Sequence, residues 1–314
     1  MFSVITPSYN QGRFVERTIR SVLEQQAGAF EHLVIDGGSD DGTVDVLKRF
    51  AHLKWVSRAD SGKTSAINEG FARATGDIIA WINSDDLYTP GTFKRVADFF
   101  AQNPGAEAVI GRASVIDAEG KRLFDQKEPS AAGFTHQGII RFWKHGTLPQ
   151  SSLFFKRSLL SRIGNLDESI WSYMDFDWML RLSRATRIHR IDQTLSLIRA
   201  HASSDTILNI ASGVFYDSLL AISKRYWGKP WEPRYWFHAF SYQLHRPRLA
   251  WHTHYELFAY EAKEKLRGAV SERGVFAALL QAKRYAFKYP AAFMVMLFRQ
   301  LGKKLSRGVV THGH

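Results

Sequence analysis

Short apolar runs alternate with helical spacings through the first 80 residues. Residues 2–6 read as a strand. Residues 14–25 read as a helix, with Val15, Ile19, Val22 and Leu23 on one face. Strands over 32–36, 53–57 and 77–82 alternate with helices over 43–50 and 65–74, the first of which Thr43 could cap. This alternation predicts βαβ units and an α/β fold with a mostly parallel sheet flanked by helices. Further on, 108–115 reads as a strand, 117–121 as a hairpin turn, and 152–155 as another strand. A short helix is expected over 158–163, a longer one from about Met174, and a returning strand over 189–198. Beyond about 206 the spacing is helical, interrupted by Pro230, Pro233, Pro247 and Pro290.

Three of the early strands run into loops rich in Gly, Ser, Asn and Asp. These are Pro7-Ser8-Tyr9-Asn10-Gln11-Gly12, Gly37-Gly38-Ser39-Asp40-Asp41-Gly42 and Asn83-Ser84-Asp85-Asp86. One such loop is ordinary turn chemistry. Several in register fall where open α/β sheets bind ligands, outside the carboxyl ends of the strands. Adjacent carboxylates such as Asp85 and Asp86 resist joint ionisation unless donors or a cation compensate. Mg²⁺ or Mn²⁺ shared with substrate phosphates is a common solution, and a solvated turn or helix cap the plainer one.

The 314 residues have no cysteine, which excludes a disulfide scaffold and thiolate zinc sites. The net charge of +12 is unevenly placed: residues 1–205 carry +1 and residues 206–314 carry +11. The basic part also holds 20 of the 42 aromatic side chains, so the chain is expected to divide into 1–205 and a helical region 206–314 with different partners. No export signal is read at the start and no apolar run is long enough to span a bilayer, so a cytoplasmic protein is expected, peripheral on the membrane face. Near the end, Phe293, Leu297 and Leu301 recur every four residues, with Arg299, Lys303 and Lys304 towards another face. This basic amphipathic pattern over about 291–305 suits an anionic membrane surface. A solvated helical subdomain is the plainer alternative. Nucleic acid is not expected, because no nucleic-acid-binding signature accompanies the charge. His252/His254 and His312/His314 lack nearby carboxylates and are not read as metal sites.

An ordered set of motifs extends the reading. It starts with Val4-Ile5-Thr6-Pro7-Ser8-Tyr9-Asn10, then Val34-Ile35-Asp36-Gly37-Gly38-Ser39-Asp40-Asp41-Gly42-Thr43. Asp60-Ser61-Gly62-Lys63 with Ala66-Ile67-Asn68 follows, then Gly76-Asp77-Ile78-Ile79 leading into Asn83-Ser84-Asp85-Asp86. Pro149-Gln150-Ser151, Leu166-Asp167-Glu168, the run from Met174 to Leu182, and Arg199-Ala200-His201 complete it. Over roughly 3–205 the chain resembles the family 2 glycosyltransferases, which have the Rossmann-like GT-A fold.

The resemblance implies an inverting transfer of a sugar from a nucleotide-diphosphate donor, UDP-linked, to a saccharide or lipid-linked saccharide. It implies Pro7, Tyr9, Asp36, Lys63 and Asp85 in the nucleotide site, and Mn²⁺ or Mg²⁺ held by Asp85, Asp86 and His201. Asp175 matches the general base, and Asp177 is left structural. Three positions depart from the pattern: Gly37 follows Asp36 where many relatives have a second acid, Asn83 replaces the first acid of a DxD motif, and Met174 replaces a Glu. Taken singly, Asp175 is equally a helix N-terminal acid, Lys63 a solvated cation and His201 a satisfied polar residue. A sugar-phosphate nucleotidyltransferase is the competing enzyme class, but it would want a Gly-rich, Arg-bearing loop after the first strand. A non-catalytic nucleotide-sugar-binding or membrane-scaffold protein is the other alternative.

Overall fold

The computed structural model describes residues 1–25, 28–127, 129–201, 204 and 214–245. The chain forms two compact units, Met1–His238 and Ala239–His314. Of the second unit, 239–245 are described and are helical. The amphipathic pattern at 291–305 lies outside the described residues.

The first unit is organised by one sheet of nine strands: β1 (Phe2–Ser8), β2 (Phe30–Asp36), β3 (Leu53–Ser57), β4 (Ile78–Trp81), β5 (Leu87–Tyr88), β6 (Ala108–Ile116), β7 (Arg122–Asp125), β8 (Leu153–Lys156) and β9 (Ile188–Arg199). Its order is β3-β2-β1-β4-β8-β6-β9-β5, with β7 on β6. β3, β2, β1 and β4 are parallel neighbours, and β6 and β9 share their direction. β8, β5 and β7 run the other way. The sheet is therefore mostly parallel, as the βαβ rhythm implies.

Every residue of β1 is buried, as expected of a central parallel strand covered on both faces. On one face, α1 (Val15–Leu23) and α2 (Thr43–Lys48) bury Val15, Ile19, Val46 and Leu47 against Val34 and Leu53. On that side too, Phe93 of α4 (Thr92–Gln102) stacks on Phe2 with ring centroids 4.6 Å apart. On the other face lies α3 (Lys63–Arg73), where Gly70 leaves the helix close enough to Ile5 that a Cβ would collide with it. α8 (Met174–Ala185) shares this side, its Trp178 ring lying 4.7 Å from Phe155 and 6.0 Å from Phe71.

Several local expectations shift. Leu23 is 42% exposed: it sits at the edge of the α1 stripe and on its last residue, where the sheet no longer covers it. Thr43 is the first residue of α2 rather than its cap. Gly42 occupies the cap position with φ 90°, and the Thr43 hydroxyl donates to Asp41 Oδ1. β5 and α4 fall where the pattern reading names no element. Between β7 and β8 the chain makes a 3₁₀ turn (Ala131–Phe134) and two short helices, α5 (His136–Ile140) and α6 (Phe142–His145). The helix expected over 158–163 is split into a 3₁₀ turn (Arg157–Leu159) and α7 (Leu160–Ile163).

The described part of the basic region belongs to the same compact unit as far as His238. After α9 (Val214–Lys224), the Tyr226 hydroxyl donates to Asp177 Oδ1 at 2.8 Å, and Trp227 packs edge-on against Trp143. The segment is bolted to α8.

Candidate active site

At the carboxyl ends of β1 and β2 the two loops hold each other. Asn10, at φ 52°, donates its backbone N–H to Ser39 Oγ and accepts from the Asp40 amide through Oδ1. Asp41 accepts from the Gly12 amide at 2.8 Å and from the Thr43 hydroxyl. Asp36 is 1% exposed. Its carboxylate accepts from the Ser39 amide (2.9 Å), Ser39 Oγ (2.6 Å) and Ser57 Oγ (2.6 Å). It therefore fixes the loop floor. Pro7 is buried in β1 opposite Ile35, whereas Tyr9 is 63% exposed over the loops. A side chain at Gly37 would come within 3.3 Å of both Tyr9 Cδ2 and Asp60 Oδ1. The glycine that replaces a second acid thus keeps a narrow slot between the Tyr9 ring and Asp60.

The strand-end acids are treated differently. Asp86 is 3% exposed and turned inward, accepting from the Arg199 amide (2.9 Å) and from Asn83 Nδ2 (3.2 Å). Burial, then the neighbouring Asp85 charge, pushes its carboxyl well above the usual carboxylate range. Asp85 keeps 18% of its side chain exposed, and its Oδ2 meets His201 Nε2 at 3.0 Å. The His201 ring packs on Phe14 with centroids 4.6 Å apart. Arg199, fully buried, donates from Nε to the Asp85 carbonyl and from Nη1 to the carbonyls of Asp117 and Ala118. The motif that supplied His201 thus also supplies the clamp behind Asp85 and Asp86, a role that spacing could not assign.

Two cis ligands of an octahedral ion with 2.0–2.1 Å bonds sit about 3 Å apart, so Asp85 Oδ2 and His201 Nε2 have the spacing to share one cation. Among the described residues no group of three or more His, Asp or Glu is arranged to hold a metal. Such a pair fits a divalent ion whose remaining positions come from phosphate oxygens and water, the usual habit of Mg²⁺. Asp86 spends its oxygens on the protein.

Asp175 lies in the first turn of α8, after Tyr173, whose φ of 64° marks the break before the helix. Burial raises the Asp175 carboxyl above its ordinary value, while the Lys63 charge and the Phe176 amide hold it down. Lys63, on the first residue of α3, also lowers Asp86, so one lysine charge bears on both acidic sites. Asp177, two residues on, is buried and accepts from Arg181 Nε (3.0 Å) and the Tyr226 hydroxyl (2.8 Å), a structural anchor. The segment before α8 is tied to α3 by Asn68, which accepts from the Leu166 amide and donates to the Leu166 carbonyl and Glu168 Oε1. Two motifs separated by 98 residues therefore set where Asp175 stands.

Interlocked glycine- and aspartate-rich loops at parallel strand ends fall where open α/β sheets take their ligands, at the carboxyl edge of the sheet. The model of Glycosyl transferase family 2 matches residues 3–164, and the chain belongs to that family. It is a glycosyltransferase. Over 213 residues it is 26% identical to an uncharacterized glycosyltransferase of Nostoc sp., covering 65% of this chain and 66% of that relative. Its fold is similar to that of S. aureus TarS 1-349 in complex with UDP, with a TM-score of 0.54, 18% identity, and coverage of 87% of this chain and 72% of that one. It is similar too to the mannosyltransferase PcManGT of Pyrobaculum calidifontis in complex with GDP-Man and Mn²⁺, with a TM-score of 0.57, 21% identity, and coverage of 96% and 84%.

Proposed function

We propose that the chain is an inverting glycosyltransferase that takes a sugar from a nucleotide-diphosphate donor, UDP-linked, with Asp175 as general base. The observation that carries this is Asp175 itself: a partly buried carboxylate at a helix start, its carboxyl raised, under the same lysine charge as Asp86. The donor nucleotide would lie over the β1 and β2 loops, with Tyr9 beside it and Pro7 and Asp36 shaping the floor. Asp85 and His201 would hold Mn²⁺ or Mg²⁺ against the diphosphate. The ion, when bound, supplies charge stabilisation for the departing diphosphate. Asp86 holds the strand end behind them rather than a ligand position. Lys63 adds positive charge on the phosphate side.

On the opposite side, Asp175 takes the proton of the acceptor hydroxyl as its oxygen bonds to the anomeric carbon. The bond from that carbon to the diphosphate oxygen breaks, and the configuration inverts. A raised carboxyl is a better proton acceptor near neutral pH, and such a base contributes about 10²–10⁴-fold. The acceptor is a saccharide hydroxyl, free or lipid-linked.

The division near residue 205 is one of role, with transfer in 1–205 and attachment to an anionic membrane surface in 206–314. Within the described residues, support comes from Trp231, Trp236 and Phe237, 58–75% exposed, with Lys229 and Arg141 over the Trp231 and Phe237 rings. Aromatic rings mixed with cations suit a headgroup layer. Among the described residues no helix is long and apolar enough to cross a membrane.

Calorimetry with UDP, with and without Mn²⁺, together with NMR of the product's anomeric configuration, tests the reaction. Metal-enhanced UDP binding and an inverted product are expected; a retained configuration overturns the base assignment. Cosedimentation with phosphatidylglycerol vesicles tests attachment. Binding that persists in a chain lacking 206–314 would contradict it.

A further inference from the structure

Trp171 is the most exposed large apolar side chain among the described residues, at 86%. Trp178 is fully enclosed and Trp81, Trp143 and Trp227 are no more than 5% exposed, while Trp55, Trp231 and Trp236 are 36–75% exposed. The Trp171 indole forgoes the burial that normally rewards a tryptophan. Its place is specific. Trp171 stands four residues ahead of Asp175, and its Cζ3 would lie 3.9 Å from a Cβ built on Gly62, the residue before Lys63. Gly62 has φ 107°, a conformation that favours glycine, so the turn carrying Lys63 has no side chain where it meets the ring edge. Tyr173, left-handed and packed edge-on against Phe215 at 5.1 Å, turns the chain between Trp171 and α8. Beyond the turn stands Asp175, and the Lys63 charge acts on it.

A pyranose has a flat face of C–H groups and a rim of hydroxyls. An indole presents a matching flat apolar face with a polar N–H at its edge. We propose that Trp171 is the stacking platform of the acceptor subsite, holding a pyranose ring so that one of its hydroxyls reaches Asp175. This rests on the transferase reading above, in which Asp175 faces the acceptor. In that reading the donor lies over the β1 and β2 loops with Lys63 on its phosphate side, so a ring on the segment that carries Asp175 serves the second sugar. It makes the acceptor a saccharide whose reacting unit is a pyranose with one unhindered C–H face.

The experiment uses the full chain with its nucleotide-sugar donor and p-nitrophenyl pyranosides of glucose, galactose, mannose and N-acetylglucosamine as acceptors. Trp171→Ala is expected to raise the acceptor KM about tenfold, the order of one aromatic stacking contact, with kcat less affected. Trp171→Phe should recover most of that loss. The Kd for UDP, read by calorimetry, should be the same in all three proteins. An unchanged acceptor KM in Trp171→Ala overturns the inference, as does an equal loss in Trp171→Phe. A parallel rise in the UDP Kd would make Trp171 a donor residue and overturn it too. A wild-type protein that releases UDP from its donor but glycosylates no pyranoside also rejects it. Failure of the transferase reading is distinguishable, since there the wild-type protein would release no UDP from the donor, with or without an acceptor, even if it bound UDP.

Discussion

At the ends of β1 and β2, where we propose that the donor lies, polar groups are spent on one another. Asp36 accepts three hydrogen bonds of 2.6–2.9 Å from Ser39 and Ser57, and Asn10, Asp41 and Thr43 lock the two loops together. At the start of α8 the arrangement is reversed. Asp175 stands at a helix start with a raised carboxyl, and Trp171 is left to solvent. The first region is pre-organised by its own hydrogen bonds. The second is positioned from behind, through Asn68 to the Leu166 segment and through Asp177 to Tyr226. Under the proposed function this sets a fixed donor cradle against an acceptor side whose groups stay unspent for the second substrate.

The largest effect that would break this comparison is expected at Asp85. Asp85→Asn should lower transfer by about 10³-fold or more and abolish the gain in UDP affinity on adding Mn²⁺, measured by steady-state kinetics and calorimetry. A metal response that survives would remove Asp85 from the cradle. Asn68→Ala acts on the other region. It leaves the buried Leu166 amide and carbonyl without partners, at a cost of about 1–3 kcal/mol in chemical unfolding. It should lower kcat while the donor KM holds, because α3 then loses its grip on the segment before α8.

A smaller effect is expected at Glu31. Burial alone would raise its carboxyl, but hydrogen bonds from Lys54, Ser3 and Thr75 outweigh that and bring it down to about 2. A carboxylate depressed in the folded state stabilises above its unfolded value. That contribution, about 2–3 kcal/mol, is lost as pH falls from about 4.5 through 2. Glu31→Gln should therefore flatten the acid limb of thermal unfolding and leave the acceptor KM unchanged.

Much of the first region was legible in the chain. The βαβ rhythm and the glycine- and aspartate-rich strand ends put Asp36 and Asp85 at or just past strand ends, and the helix expected from about Met174 puts Asp175 in its first turn, as the structure has them. What escaped is what sequence spacing cannot encode. Asp85 and Asp86 are adjacent and alike, yet the Arg199 amide takes one inward while His201 meets the other. Asn68 and Leu166 carry no joint signal, because their contact exists only once α3 lies on the sheet. Leu23 fits the α1 stripe by spacing but sits at its edge. The segment 105–150 mixes a bulged β6 with turns and helices of four or five residues, too short for either periodicity to show.

The central claim is that Asp175 removes the acceptor proton while the donor cradle works without it. Steady-state transfer and UDP calorimetry on Asp175→Asn test both halves in one variant. Asp175→Asn is expected to lower kcat by about 10²–10⁴-fold with the UDP Kd unchanged. Undiminished transfer would contradict it.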